Sequence, residues 1–199
     1  MACSGLLNTS RHIDYKCHTV FRYKEVPMRL TSTDFADGST LPFDCSYESQ
    51  NRSPALSWAE APWGVHSFAV VCIDREGPDA RPWTHWLIWN IPATETRLLA
   101  GLPQYPRLDD GMEQGMNDYL EYGWCGPCPP SGAHEYSFTL YALDSFLSPT
   151  GPTSQAVLSA LSDHTLATAR LSAVYGSDGA FPALAAMGRQ ARAAYRYQG

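Results

Sequence analysis

The chain has 199 residues, 44% of them hydrophobic and 17% charged, with a net charge of −6. That length suits one domain with short extensions and can bury an adequate core without disulfides or metal. The acidic balance opposes binding to nucleic acid or an anionic membrane, and the one basic concentration, Arg189, Arg192 and Arg196, is too small to reverse it. The 15 glycines, 15 prolines and 12% aromatics favour short strands and turns over a helical bundle. No apolar run reaches the length of a membrane span, and residues 1–25 contain no apolar stretch of signal-peptide length. A cytoplasmic protein without a transmembrane segment is the expectation. Six cysteines without a small-domain framework predict reduced thiols.

Residues 1–26 are polar, mixed in charge and without clear period, and read as an N-terminal extension. From Met28 to Phe35 a short strand is expected, followed by a turn at Asp37-Gly38. Ala55 to Trp58 reads as another short strand. Ser67 to Asp74 is nearly continuously apolar, which is the pattern of a buried strand, and it ends on a carboxylate. Residues 75–82 form a loop. Trp83 to Pro92 is aromatic and β-branched, again a central strand, with His85 near its start. Residues 100–132 predict a long loop, a feature that is usually functional or packed on itself.

His134 to Leu143 predicts a third core strand. Alternation puts His134, Tyr136, Phe138 and Leu140 on one face and Glu135, Ser137 and Thr139 on the other. Residues 154–170 form the best helical stretch, with Ser154 as N-cap and Val157, Leu158, Leu161 and Leu166 as apolar positions. Leu171 to Tyr175 predicts a closing strand, and residues 182–197 a further helix.

Three predicted strands thus each carry one titratable residue near an end: Asp74, His85 and His134. A carboxylate at the end of a buried strand must be paired, and a neighbouring imidazole offsets its desolvation while having its own tautomer fixed. Two protonated histidines held in this way would offer N–H donors to phosphate, sulfate or carboxylate. Pro78, Trp83, Trp86, Pro129 and Pro130 supply rigid apolar surface for the walls, and Tyr136 an O–H on the face of His134. Spacing by itself also allows three residues in three unrelated environments.

The segments carrying these residues resemble the phosphatidylethanolamine-binding protein family, in its bacterial and archaeal Raf-kinase-inhibitor-like branch. The match runs through Asp37-Gly38, Leu41-Pro42, Ser53 to Trp58, Ser67 to Asp74, Gly77-Pro78, His85-Trp86 and Asn90-Ile91-Pro92. It continues through Gly115, Asn117-Asp118, Gly126 to Gly132, His134, Tyr136 and Leu140 to Asp144. The resemblance implies a mainly β domain over residues 27–175: a central antiparallel sheet with a few peripheral helices, leaving 176–199 as a C-terminal extension. It also implies a pocket for a small anion, a phosphate, a phospholipid head group or a carboxylate. Residue by residue, that pocket falls on Asp74, Pro78, His85, Pro129, Gly132, His134 and Tyr136.

Two departures stand out. The family's Asp-x-Asp-Ala-Pro is Asp74-Arg75-Glu76-Gly77-Pro78 here, and its His-Arg-Tyr is His134-Glu135-Tyr136. The second replaces an arginine with an acid on the face turned away from His134.

Three functions follow as alternatives: an anion-binding protein, an enzyme of the same fold, or a regulator of a kinase or protease. The enzyme would use Asp74, His85 and His134 for acid–base cyclisation or condensation in a biosynthetic pathway. No cofactor or metal is expected, while a protein partner and a homodimer both stay open. Cys125-Gly126-Pro127-Cys128 has the spelling of a redox motif, but Pro129-Pro130 after it blocks the helix that such chemistry needs. His12, Cys17 and His18 fit no standard ligand spacing, and His164 reads as a packing or capping residue. Ser131 near His134 has no nucleophile elbow around it.

Overall fold

Two long apolar runs and one alternating run set the architecture of the protein, whose computed structural model describes residues 27–78 and 81–176. The short early strands are β1 (Arg29–Thr31), β2 (Ser39–Thr40) and β3 (Leu56–Ala59). The apolar runs are β4 (Ser67–Asp74) and β5 (Trp83–Pro92), followed by the short β6 (Arg97–Leu98) and β7 (Glu113–Gln114). Then come β8 (Ala133–Leu143), helix α1 (Ser154–His164) and β9 (Thr165–Gly176). A six-stranded sheet runs in the order β2-β9-β8-β4-β5-β7, and a three-stranded sheet in the order β1-β3-β6. Pairing is antiparallel throughout except between β2 and β9.

The small sheet lies on one face of the large one. Leu30, Leu56, Trp58 and Leu98 from the small sheet share a buried cluster with Phe68, Trp86, Phe138 and Leu140 from the large one. Trp124 stacks on Phe138, with ring centroids 5.8 Å apart. Fully burying each such aromatic or aliphatic side chain contributes about 1.5–3 kcal/mol. The opposite face carries a smaller cluster in which Val157 and Leu161 of α1 cover Val71, Leu87, Trp89 and Leu143.

The expected strands at Ser67–Asp74 and Trp83–Pro92 have the bounds observed. Two boundaries differ from expectation. The strand expected over Met28–Phe35 pairs only at Arg29–Thr31. The helix expected over 154–170 ends at His164, and Leu166, expected on its apolar side, is instead an exposed strand residue. From residue 165 onward burial alternates with period two: Ala169, Leu171, Ala173 and Tyr175 are buried, and the residues between them are less so. The ladder to β8 runs from Thr165 opposite Leu143 to Gly176 opposite Ala133, and this pairing overrides local helical preference. The N-cap is Thr153 rather than Ser154, its hydroxyl accepting from the Ala156 N–H at 3.3 Å. His164 closes the last turn with Nδ1 2.9 Å from Asp144 Oδ1.

The long segment after β6 packs on itself. Gln114 is 2% exposed; its Nε2 donates to the carbonyls of Pro103 and Tyr105, while its Oε1 accepts from Trp86 Nε1 at 2.9 Å. Gly126 lies so close to residues 45–47 that an added Cβ would sit 2.2 Å from the Cys45 carbonyl oxygen. The expected extension at 1–26 and the helix at 182–197 fall outside the described residues, as do His12, Cys17, His18 and the three C-terminal arginines.

Candidate functional site

The end of β4, the start of β5 and the start of β8 meet on the core face of the large sheet. Asp74 lies opposite Tyr136 on one side and Trp83 on the other. It is 4% exposed, and both its oxygens have protein partners. Oδ1 accepts from the Glu76 N–H at 2.8 Å, so the substituted acid of that motif contributes its backbone. Oδ2 is 2.7 Å from His134 Nδ1. The carboxylate therefore fixes His134 with Nδ1–H donating and leaves its Nε2 for another partner. The His134 side chain keeps 15% of its exposure.

His85 reaches the site through a bulge. Cys72 pairs with Trp86 and Ile73 pairs with Thr84, so His85 is an extra residue between two pairs. Strict alternation would turn it away from Trp86; the bulge lets both face the core side. Its ring lies edge-on to Tyr136 at 5.0 Å and to Tyr119 at 5.3 Å. Asp74 does not orient it. Instead, Nδ1 is 2.6 Å from the carbonyl oxygen of Cys125, which can only accept, so Nδ1 carries the hydrogen and Nε2 a lone pair. The Cys125 N–H in turn donates to the His85 carbonyl at 2.9 Å.

Burial pushes the His85 pKa down to about 4, against smaller raising effects from the Cys125 carbonyl, Asp74 and Asp118. His85 is therefore neutral at physiological pH, and the expectation of two protonated donors needs correction. Tyr136 is 1% exposed, and burial pushes its hydroxyl pKa up, so it stays protonated.

Asp74, His85, His134 and Tyr136 thus come together. Pro78, Pro129 and Gly132 stand on the flanking loops. Pro78 is exposed past the turn after β4, Pro129 is buried, and Gly132 turns the chain into β8 with φ +68°. Glu135 is exposed on the other side of β8, as alternation requires.

Sequence reasoning missed the support around His85. Asp118 Oδ2 accepts from the Thr84 N–H at 2.7 Å and clamps the 117–125 loop to the start of β5. Asn117 shapes that loop, its Oδ1 accepting from the N–H groups of Tyr119 and Glu121. Tyr119 then packs edge-on against both His85 and Trp83. The one signal present was the Asx character of Asn117-Asp118; the contact with Cys125 is backbone and leaves no side-chain signature. Cys125 itself is fully buried and its thiol pKa is pushed up by burial, the reverse of a redox nucleophile. Cys45, Cys72 and Cys125 are buried free thiols, and Cys128 Sγ lies 3.8 Å from Glu48 Oε1. No helix among the described residues is long and apolar enough to cross a membrane.

Known proteins are similar to this chain. A UPF0098 protein of Methanothermobacter thermautotrophicus is 42% identical over 149 residues, covering 74% of this chain and 98% of the relative. YbhB of Escherichia coli is 39% identical over 128 residues, covering 59% and 78%. Among solved structures, YbcL of Escherichia coli aligns with a TM-score of 0.70 at 32% identity, covering 76% of this chain and 99% of that one. A phosphatidylethanolamine-binding protein homolog from Chlamydia trachomatis aligns with a TM-score of 0.68 at 34% identity, with the same coverage. The pattern of the phosphatidylethanolamine-binding protein family matches residues 31–176, the span from β1 to the end of β9. The chain belongs to the phosphatidylethanolamine-binding protein family.

Proposed function

We propose that the protein is a binding module that receives a small anionic group, a phosphate or a carboxylate, between His134 and His85. A phospholipid head group falls within the same chemistry. One observation carries the reading: each imidazole is held through Nδ1, His134 by Asp74 and His85 by the Cys125 carbonyl, so each reserves Nε2. Asp74 and Cys125 act as positioning groups, and Tyr136 keeps its hydroxyl proton.

The neutral state of His85 narrows the ligand. Its Nε2 is an acceptor, so a bound phosphate either brings its own O–H or gains a proton shared with the ring. The complex then holds one proton more than the free dianion, and affinity falls as pH rises past the ligand's second ionisation. Calorimetric titration with inorganic phosphate across neutral pH checks this. Proton uptake on binding is expected, with affinity lower by about tenfold or more in His134→Ala and in His85→Ala. Unchanged phosphate affinity in both variants would overturn the reading.

The enzyme alternative keeps one supporting observation, the Asp74–His134 pair at 2.7 Å, which has the geometry of an oriented acid–base group. A His85 of pKa about 4 is a weak base at neutral pH and would serve such chemistry poorly. The buried free thiols of Cys45, Cys72 and Cys125 accord with a cytoplasmic location.

A further inference from the structure

The end of β4 divides its side chains between the two faces of the large sheet. Asp74 faces the histidines on the core side. On the other face, beyond the part that α1 covers, lies an open cavity of about 420 Å3. It is lined by Ile73, Arg75, Ser137, Thr139, Tyr141 and Arg170, together with Pro82. Arg170 lies directly opposite Thr139 on the β8–β9 ladder, and Ile73 lies opposite Ser137 on the β4–β8 ladder. The cavity floor is therefore regular sheet.

The lining has an unusual chemical balance for a chain with net charge −6. Two guanidinium groups and three hydroxyls meet there, and no carboxylate lines the cavity. The ion pairs that hold Arg29, Arg52 and Arg107 have no counterpart at Arg75 or Arg170 among the described residues. The acids nearest in register on this face, Asp37 and Glu135, stay outside the lining. Asp37 accepts from the N–H and hydroxyl of Ser172, and Glu135 is exposed. Burial raises the Tyr141 hydroxyl pKa, and the Arg170 charge works against that rise.

Two arginines without an ion-pair partner among the described residues, beside three hydroxyls, form the donor set that recognises a tetrahedral oxyanion, with N–H groups able to bridge its oxygens. We propose that this groove is a second anion site, separate from the histidine pocket, that takes the phosphoryl group of a small phosphorylated molecule through Arg75, Arg170, Ser137 and Thr139. The cavity exceeds what one phosphate fills, and Ile73, Tyr141 and Pro82 give the remainder of such a ligand an apolar surface.

Titration of the full chain with inorganic phosphate, followed by backbone amide NMR shifts, tests the site independently of the histidine pocket. Saturable shifts at Ser137, Thr139 and Arg170 are expected to persist in His85→Ala. They are expected to weaken by about tenfold or more in Arg170→Gln and again in the Arg75→Gln/Arg170→Gln pair, whose circular dichroism stays that of wild type. Retention in the double variant of the same affinity at these amides overturns the proposal. So does loss of their shifts in His85→Ala, which would trace them to the histidine pocket. Shifts that never saturate also overturn it, because they mark general screening instead of a site.

Discussion

The two faces of the six-stranded sheet are built from the same strands yet differ in kind. On the core face, Phe68, Trp86, Trp124 and Phe138 lie under the small sheet, and the polar groups among them are few and held at short distances. On the opposite face, a small cluster under α1 gives way within one strand to mostly buried hydroxyl residues flanked by two exposed arginines. The difference shows what each face permits. A buried polar group must be satisfied by the protein, so His85 is locked and neutral. An exposed arginine needs no protein partner and stays available.

The largest expected contrast is in packing. Phe138→Ala should cost about 3–5 kcal/mol, because the site touches Trp124, Phe35 and the rest of the aromatic cluster. Its strand neighbour Thr139→Ala, on the other face, should cost well under half of that; urea unfolding midpoints compare the two. Equal losses would break the distinction between the faces.

Next in size is the pH dependence of stability. The folded pKa of His85, about 4, lies below its ordinary 6.5, so the unfolded chain takes up the proton first. The stability tied to neutral His85 is complete above pH 6.5 and is lost as pH falls toward 4, by about 3 kcal/mol. His85→Gln keeps a donor for the Cys125 carbonyl but does not titrate. The difference between wild-type and variant unfolding free energies should therefore shrink or reverse across that window. The smallest effect belongs to the helix on the open face: Thr153→Ala should cost about 1 kcal/mol through loss of the N-cap, visible as a small shift in melting temperature.

Much of this contrast was legible in the residue order. Alternation in β8 assigned Tyr136 and Phe138 to one face and Ser137 and Thr139 to the other; Tyr136, Phe138 and Leu140 join the core cluster and Glu135 is exposed, although Ser137 and Thr139 are buried too. The continuous apolar runs of β4 and β5 marked the two strands that carry Asp74 and His85. What stayed hidden was long-range. The pairing of β9 with β8 took residues 165–170 out of a helix that local periodicity favoured. The partner of His85 is a backbone carbonyl 40 residues away, which no side-chain pattern reports. His85 and His134 looked alike as strand-end histidines, and what separates their chemistry is the deeper burial of His85 together with a carbonyl in place of a carboxylate at Nδ1.

One feature of β5 bears on how this chain tolerates change in length. β5 uses ten residues, 83–92, where its neighbour β4 uses eight, 67–74. The surplus is His85 and one residue of the Trp89-Asn90 pair, which stands against Ala69 alone; the Asn90 backbone turns through φ +58° while its side chain bonds both the N–H and the carbonyl of Leu147. Each surplus residue reverses the inside–outside phase of the strand, and the second reversal restores what the first disturbed. Trp86 to Trp89 are therefore a phase-locked block between two compensating shifts. Substitution within the block is a local event, whereas deletion of one residue there would exchange the contents of the two faces. Length, more than side-chain identity, is the quantity this stretch must preserve.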